Sequence, residues 1–145
     1  MNYEVKDIKL APDGHRKIQW VKNNMPVLSQ LEKEFEKAKP FENVKISLSI
    51  HMEAKTAYLC KVLVAGGAVL SATGSNVLST QDDVAAALAD SGISVFAVHG
   101  ASEREYMKHI EMCLQQKPNI IIDDGGDLVS VLHKQRPDLA ENVWG

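Results

Sequence analysis

Four short apolar runs recur along the chain at almost constant spacing, and this spacing constrains the fold more than any other feature. The runs begin at Val44, Ala68, Ile93 and Asn119, so consecutive starts are 24, 25 and 26 residues apart. That interval accommodates one strand, one helix and two short connections. Strands that alternate with helices predict a mainly parallel sheet with right-handed crossovers and helices on both faces.

The residue pattern within the runs indicates how each strand is buried. In the first run, Ile46, Leu48 and Ile50 alternate with serines, whereas residues 120–122 are all isoleucine, which is typical of a strand covered on both faces. A length of 145 residues corresponds to about one domain. We therefore expect a single α/β domain over residues 1–145, with a three-layer, Rossmann-like or flavodoxin-like architecture.

Residues 1–40 predict an N-terminal helical segment. The apolar residues from Ile18 to Phe35 are three or four positions apart, which indicates a helix. Pro26 interrupts this pattern, so we expect a kink or two shorter helices there, and Pro40 ends it. Later helices are predicted over residues 52–65, 80–90, 102–116 and 127–134.

Two of the later helices carry signals for their first turn. Ser79 or Thr80 is expected to cap the helix that follows the second strand, because hydroxyl side chains accept hydrogen bonds from free backbone N–H groups. Ser102 and Glu105 have the spacing of a capping box.

Composition excludes several classes of protein. A formal net charge of −3 shows no basic surface for nucleic acid or an anionic membrane. No apolar run approaches the roughly 18–20 residues of a transmembrane helix, and the N-terminus lacks the apolar stretch of a secretory signal. We therefore expect a cytoplasmic location. Cys60 and Cys113 lack a CxxC partner, so two buried, reduced thiols are expected instead of a zinc or redox site.

Polar residues follow each predicted strand, at the edge where parallel sheets usually bind ligands. They are His51, Glu53 and Lys55 after the first strand, Asn76, Thr80 and Gln81 after the second, His99 after the third, and Asp123 and Asp124 after the fourth. Alone, His51 is as consistent with a capping role, and we expect His99 to be exposed without a role. No spacing supports a metal site, and no GxGxxG or phosphate loop follows any strand.

Three stretches taken together identify a family. "LSIHMEAKTA", "GSNVLSTQDDVAAAL" and "IIIDDGGDL" resemble the N-terminal part of S-adenosylhomocysteine hydrolase (adenosylhomocysteinase), in the same order. The resemblance implies a reversible hydrolase, active in one-carbon metabolism, that uses tightly bound NAD to oxidise the ribose 3′-hydroxyl of a nucleoside thioether. Homocysteine then leaves, water adds, and the hydride returns. The resemblance also implies a homotetramer.

The same resemblance implies roles for individual residues. His51 and Asp123 match catalytic acid/base residues near the ribose and the departing sulfur. Asn76, Thr80 and Gln81 match positions that line or support the substrate pocket. Asp124 is expected to contact substrate. We assign no cofactor-binding or metal-binding residue in this chain.

The chain departs from the family pattern in its extent. The family continues with further ribose-contacting residues and a glycine-rich NAD domain, which these residues do not include. We therefore expect a fragment of the substrate-binding domain that is inactive alone and self-associates, with Trp144 exposed. The alternative is a stand-alone, non-catalytic nucleoside-binding or interaction module.

The chain also departs from the family at two residues that the resemblance places against the purine ring. Many members have threonine at the position of Glu53 and glutamate at that of Lys55, and these residues contact the adenine edge. Lys55 only donates hydrogen bonds and an ionised Glu53 only accepts them, which matches the O6 and N1–H of hypoxanthine. This predicts that the enzyme uses S-inosylhomocysteine. The alternative is that Glu53 and Lys55 pair with each other and either purine is accepted through water.

Overall fold

Five parallel strands form one sheet at the centre of the molecule. The computed structural model describes residues 2–145; residue 1, where the predicted N-terminal segment begins, lies outside this range. The strands are β1 (Tyr3–Val5), β2 (Lys45–Ile50), β3 (Val69–Gly74), β4 (Ser94–Ala97) and β5 (Ile120–Asp123). They lie in the order β1-β4-β3-β2-β5, and every neighbouring pair is parallel. The parallel α/β fold predicted from the spacing of apolar runs is confirmed.

Helices cover both faces of the sheet. They are α1 (Ala11–Asn24), α2 (Pro26–Ala38), α3 (Ala54–Ala65), α4 (Asp82–Asp90), α5 (Glu103–Leu114), α6 (Asp127–Gln135) and α7 (Pro137–Ala140). Helices α1 to α4 lie on one side of the sheet around a core that includes Cys60, and α5 to α7 lie on the other around a core that includes Cys113. Both cysteines are buried and unpaired, as predicted.

The N-terminal segment differs in part from the prediction. The break at Pro26 is confirmed, since α1 ends at Asn24 and α2 begins at Pro26, whose missing N–H is tolerated in a first helical turn. The sequence did not reveal β1, which is only three residues long. Its partner β4 is about 90 residues away, with Tyr3 opposite Val95, so no local pattern marks the strand.

The two predictions of helix starts have different outcomes. The capping box of α5 is confirmed, because the Ser102 side chain accepts a hydrogen bond from the Glu105 N–H and the Glu105 side chain accepts one from the Ser102 N–H. The prediction for α4 is wrong: its N-cap residue is Gln81, without a side-chain cap. The hydroxyls of Ser79 and Thr80 donate instead to the carbonyl oxygen of Asn76.

Strand β5 lies at an edge of the sheet, and its side chains pack against the cores on both faces, as the isoleucine run predicted. Its four residues are only partly buried. On its outer side, the Ile121 N–H donates to the Gly145 carbonyl at 2.8 Å, and the Trp144 N–H donates to the Asn119 carbonyl at 2.7 Å. The isoleucine run therefore reflects an edge strand that packs against both cores while its residues remain partly exposed.

The path of the chain creates a switch point between β2 and β5. From β2 the chain steps through α3 to β3 and through α4 to β4, always in one direction across the sheet. Helix α5 then returns it along the opposite face to β5, on the other side of β2. The connections that leave β2 and β5 therefore diverge to opposite faces and leave a crevice between their carboxyl ends, where ligands of such sheets bind.

Candidate functional site

The crevice between β2 and β5 brings together a histidine and two carboxylates. Ser49 of β2 is aligned with Asp123 of β5, and the Asp124 N–H donates to the Ser49 carbonyl at 3.1 Å. His51 follows two residues after Ser49 and is exposed. The predicted convergence of His51, Asp123 and Asp124 on one edge is therefore confirmed, although they are more than 70 residues apart in sequence.

The His51 ring is held by a serine that sequence reasoning missed. Its Nδ1 lies 2.5 Å from the Ser79 hydroxyl oxygen, across 28 residues of sequence. Ser79 belongs to the "STQDD" stretch, which the sequence predicts to be a helix cap. Its side chain instead reaches across to the end of β2, and no sequence pattern distinguishes these two uses of a serine.

The two adjacent aspartates have different surroundings. Asp123 Oδ1 accepts from the Gly126 N–H at 2.9 Å, and Oδ2 accepts from the Val129 N–H at 3.0 Å. Asp123 therefore closes the turn into α6, in which Gly126 has φ +82°. Asp124 is exposed, and within residues 2–145 its carboxylate accepts no hydrogen bond. Of these two aspartates, only Asp124 has a carboxylate free of hydrogen bonds to the described residues.

The other predicted pocket residues, Asn76, Thr80 and Gln81, form a supporting turn after β3. Asn76 Oδ1 accepts from the Leu78 N–H at 2.8 Å, and the Asn76 carbonyl accepts from the buried Thr80 hydroxyl at 3.0 Å. The Gln81 N–H donates to the Met52 carbonyl at 2.9 Å and ties this turn to the residue after His51. Asn76 and Thr80 therefore support this turn with their side chains, and Gln81 supports it with its backbone N–H.

His99 is exposed, as expected, but it takes part in this turn. Its Nδ1 lies 3.0 Å from the Thr80 carbonyl, and its N–H donates to Asp82 Oδ1 at 2.8 Å. The ring therefore helps to fix the residues between β3 and α4.

Lys55 lies between two apolar grooves on the side of α3 that faces the N-terminal helices. One groove, of about 670 Å³, runs past Ile50, Leu28 and Leu59, and the other, of about 460 Å³, contains Glu53 and Trp20. No salt bridge joins Glu53 to Lys55 in the described chain. The two side chains are not paired with each other in this structure, and which purine they accept stays a prediction.

A smaller cavity of about 370 Å³ lies at the carboxyl end of β3. Tyr106 of α5 lines it and donates its hydroxyl hydrogen to Asp127 Oδ2 at 2.7 Å, with the Ser75 carbonyl at 3.3 Å. Burial and the neighbouring Asp127 raise the pKa of Tyr106 far above its ordinary value, so the phenol stays neutral. Sequence reasoning did not single out Tyr106, because an isolated tyrosine in a helix carries no signal.

The described residues do not fit a dinucleotide cofactor. The glycine turn that opens α6 has its backbone N–H groups filled by Asp123, and Asp124 and Asp127 would repel a phosphate there. No group of three or more His, Cys, Asp or Glu side chains in residues 2–145 is arranged to hold a metal ion. Over the same residues, no helix is long and apolar enough to cross a membrane.

Comparison with known proteins assigns this architecture to a family. The sequence model of S-adenosyl-L-homocysteine hydrolase matches residues 2–143. The chain belongs to this hydrolase family. It is 52% identical over 144 residues to the adenosylhomocysteinase of Pyrococcus abyssi, and 48% identical over 143 residues to the S-inosyl-L-homocysteine hydrolase of Methanocaldococcus jannaschii.

Each of these alignments covers 99% of this chain but 34% of the relative. The adenosylhomocysteinase of Thermococcus kodakarensis is 51% identical with the same coverage. The chain thus spans about a third of the length of the curated S-adenosyl-L-homocysteine hydrolase relatives it matches. The family resemblance drawn from the three sequence stretches is confirmed.

Proposed function

We propose that this chain forms the nucleoside-binding part of an enzyme that reversibly hydrolyses a nucleosyl-homocysteine thioether to nucleoside and homocysteine. Family membership over residues 2–143 supports the reaction class. The observation that carries the proposal is the placement of two exposed groups, His51 and Asp124, on either side of the switch point between β2 and β5. This is where a sheet of this topology binds its ligand.

The resemblance implies that NAD takes part in the reaction, and we assign its binding to polypeptide outside these residues because the described chain does not fit it. This chain is then a fragment of the substrate-binding domain, and we expect it to be inactive alone. Its own residues bind the nucleoside, orient the ribose and move protons.

For proton transfer we propose His51 and Asp124. Both are exposed at the crevice, and both residue types can act as acid or base. The resemblance implied Asp123, but its two oxygens already accept hydrogen bonds from Gly126 and Val129. We therefore give Asp123 the role of holding the loop that presents Asp124.

For the purine we propose the grooves beside Lys55. Ile50, Leu28 and Leu59 supply an apolar surface for a planar ring, and Lys55 and Glu53 supply polar groups at its rim. Sequence identity does not distinguish between the two purines. The relative named for the adenosyl substrate is 52% identical to this chain, and the relative named for the inosyl substrate is 48% identical. The choice rests on the donor Lys55 and the acceptor Glu53, which suit hypoxanthine.

The test is turnover of S-adenosylhomocysteine and S-inosylhomocysteine by the full-length enzyme and by the double variant Glu53→Thr/Lys55→Glu. We expect the wild type to favour the inosyl substrate and the double variant to favour the adenosyl substrate. The change in kcat/KM ratio should be about tenfold or more, because a buried polar group left unpaired costs about 1–3 kcal/mol.

A control is Lys61→Glu, which makes the same charge change as Lys55→Glu on the same helix but in a cavity away from Glu53. It should leave the preference unchanged. A wild-type preference for the adenosyl substrate would contradict the purine assignment alone. Nucleoside binding without turnover by the full-length protein would contradict the hydrolase proposal and favour the non-catalytic binding module.

A further inference from the structure

We propose that Ser79 is a positioning residue that fixes the His51 imidazole in its Nδ1–H tautomer and so leaves Nε2 free to accept a proton from the substrate. Its use in proton transfer rests on the function proposed above. The tautomer itself follows from the arrangement of hydrogen bonds around the Ser79 hydroxyl.

The position of Ser79 is set by the turn after β3. Asn76 Oδ1 accepts from the Ser79 N–H at 3.3 Å and from the Leu78 N–H at 2.8 Å. The Asn76 carbonyl also accepts from the hydroxyls of Ser79 at 3.1 Å and Thr80 at 3.0 Å. Two hydrogen bonds from Ser79 and two from its neighbours Leu78 and Thr80, all to one asparagine, therefore hold Ser79 in place independently of His51.

The number of available hydrogens determines which atom donates in the hydrogen bond between Ser79 and His51. A serine hydroxyl has one hydrogen, and a carbonyl oxygen only accepts. Because Ser79 donates to the Asn76 carbonyl, its oxygen is left with lone pairs toward His51 Nδ1, 2.5 Å away. His51 Nδ1 must then carry the hydrogen, which places the lone pair of the neutral ring on Nε2.

In this tautomer, His51 can act as a base through Nε2. Within residues 2–145 no hydrogen bond engages His51 Nε2, and the side chain is exposed at the crevice. A histidine in the opposite tautomer would present an N–H there and could not take a proton. Asn76 then contributes to the site through Ser79 and not through substrate.

The experiment is the histidine-ring ¹H–¹⁵N spectrum of this chain labelled with ¹⁵N-histidine, recorded at about pH 9, where histidine side chains are neutral. His51→Gln assigns the His51 signals by their loss. We expect the wild-type His51 to show the hydrogen on Nδ1. In Ser79→Ala we expect the signals to move to the Nε2–H tautomer, and in Ser79→Thr, which keeps a hydroxyl, to remain as in the wild type.

Two controls are built into the chain. Ser91→Ala removes a hydroxyl that also donates to a backbone carbonyl, that of Ala87, but makes no hydrogen bond to a histidine among the described residues. It should not change the His51 spectrum. His99, whose Nδ1 faces the Thr80 carbonyl, should keep its tautomer in every variant.

A wild-type His51 with its hydrogen on Nε2, or a Ser79→Ala spectrum identical to the wild type, overturns the proposal. Neither readout requires substrate. The assignment of His51 as a base is tested separately, by turnover of the full-length His51→Gln enzyme. Failure of the tautomer assignment and failure of the proposed function are therefore distinguishable.

Discussion

Two adjacent residues of the same type have different roles in this site. Asp123 and Asp124 are both carboxylates at the end of β5, yet the first accepts two backbone hydrogen bonds and the second accepts none among the described residues. The register of β5 explains the difference. Ladder pairing places Asp123 opposite Ser49 at the end of β5, where its side chain reaches the backbone N–H groups that open α6, whereas Asp124 lies one residue beyond the strand and is exposed.

This division of roles predicts that two matched substitutions change stability by different amounts. Asp123→Ala removes both acceptors of the α6 turn and should lower the free energy of unfolding by about 1–2 kcal/mol. Asp124→Ala removes no hydrogen bond and should change it by less than about 0.5 kcal/mol. Urea unfolding followed by circular dichroism measures both. Equal losses in the two variants would contradict the assignment.

At the scale of elements, α1 and α4 cross at a glycine. Gly14 is buried, and a Cβ added there would overlap the backbone carbonyl of Asp83 and lie 2.8 Å from the Ala87 Cβ. The close approach lets Lys17 of α1 pair with Asp83 of α4 at 2.7 Å. A glycine that weakens an isolated helix therefore allows two helices to pack backbone to backbone.

Gly14→Ala should therefore destabilise the chain even though alanine is the better helix former. We expect a loss of about 1–3 kcal/mol in the free energy of unfolding, because the helices must separate to admit the methyl group. Gln19→Ala, an exposed position on the same helix, is the control and should change it by less than about 0.5 kcal/mol. An increase in stability for Gly14→Ala would show that α1 and α4 are farther apart.

The edge strand β1 is held to α5 by charged side chains as well as by β4. Glu4 lies 2.5 Å from Lys108 Nζ and 3.3 Å from Nε2 of the buried His109. The hydrogen bond from Lys108 is the main cause that holds the pKa of Glu4 below its ordinary value, with a smaller contribution from His109 and opposition from desolvation.

A lowered pKa means that the folded state favours the ionised Glu4. Its contribution to stability is complete above the ordinary glutamate pKa and is lost as the pH falls through the lower pKa of the folded state. We expect Glu4→Gln to cost about 0.5 kcal/mol at pH 7, as for a partly exposed ion pair, and progressively less as the pH falls towards 3. Urea unfolding at the two pH values measures this. A difference that persists at low pH would contradict it.

At the scale of the whole molecule, each face of the sheet has its own core and its own cysteine. Burial raises the pKa of Cys60 to about 12 in the core under α1, α3 and α4, and that of Cys113 to about 11 in the core under α5 and α6. Neither thiol is reactive while its core is closed, because the thiolate is the nucleophile.

The two thiols therefore report whether the two cores open together. If the sheet unites them in one cooperative domain, alkylation at pH 8 should label both cysteines at the same rate and with the same dependence on urea. Mass spectrometry of peptides resolves the two sites. Earlier labelling of Cys113 would show that the α5–α7 face opens separately and would contradict a single domain.

Exposed apolar side chains bear on association of the chain. The most exposed are Trp20, Val27, Leu78 and Trp144, each at least 67% accessible. Trp144 is exposed as predicted. Self-association stays a prediction, based on the tendency of such surfaces to be covered. Sedimentation should show a mean mass that rises with concentration, and a single monomeric species at high concentration would contradict it.

The sequence by itself determined what depends on neighbours along the chain. The interval of 24 to 26 residues set one strand and one helix per unit, because apolar periodicity is a local property. Pro26 divided the first helical stretch, and Ser102 with Glu105 capped α5. The sequence also placed His51 and Asp124 at strand ends, since in a parallel sheet all carboxyl ends share one edge.

Only the tertiary structure decided what depends on distant residues. Strand order made the space between β2 and β5 the switch point, and no local signal distinguishes that order from others. The strand β1 exists because β4 pairs with it, and Ser79 serves His51 instead of α4 because the turn after β3 folds against the end of β2. A hydroxyl or a carboxylate bonds whatever the fold brings within about 3 Å, so its partner is fixed by the packed chain.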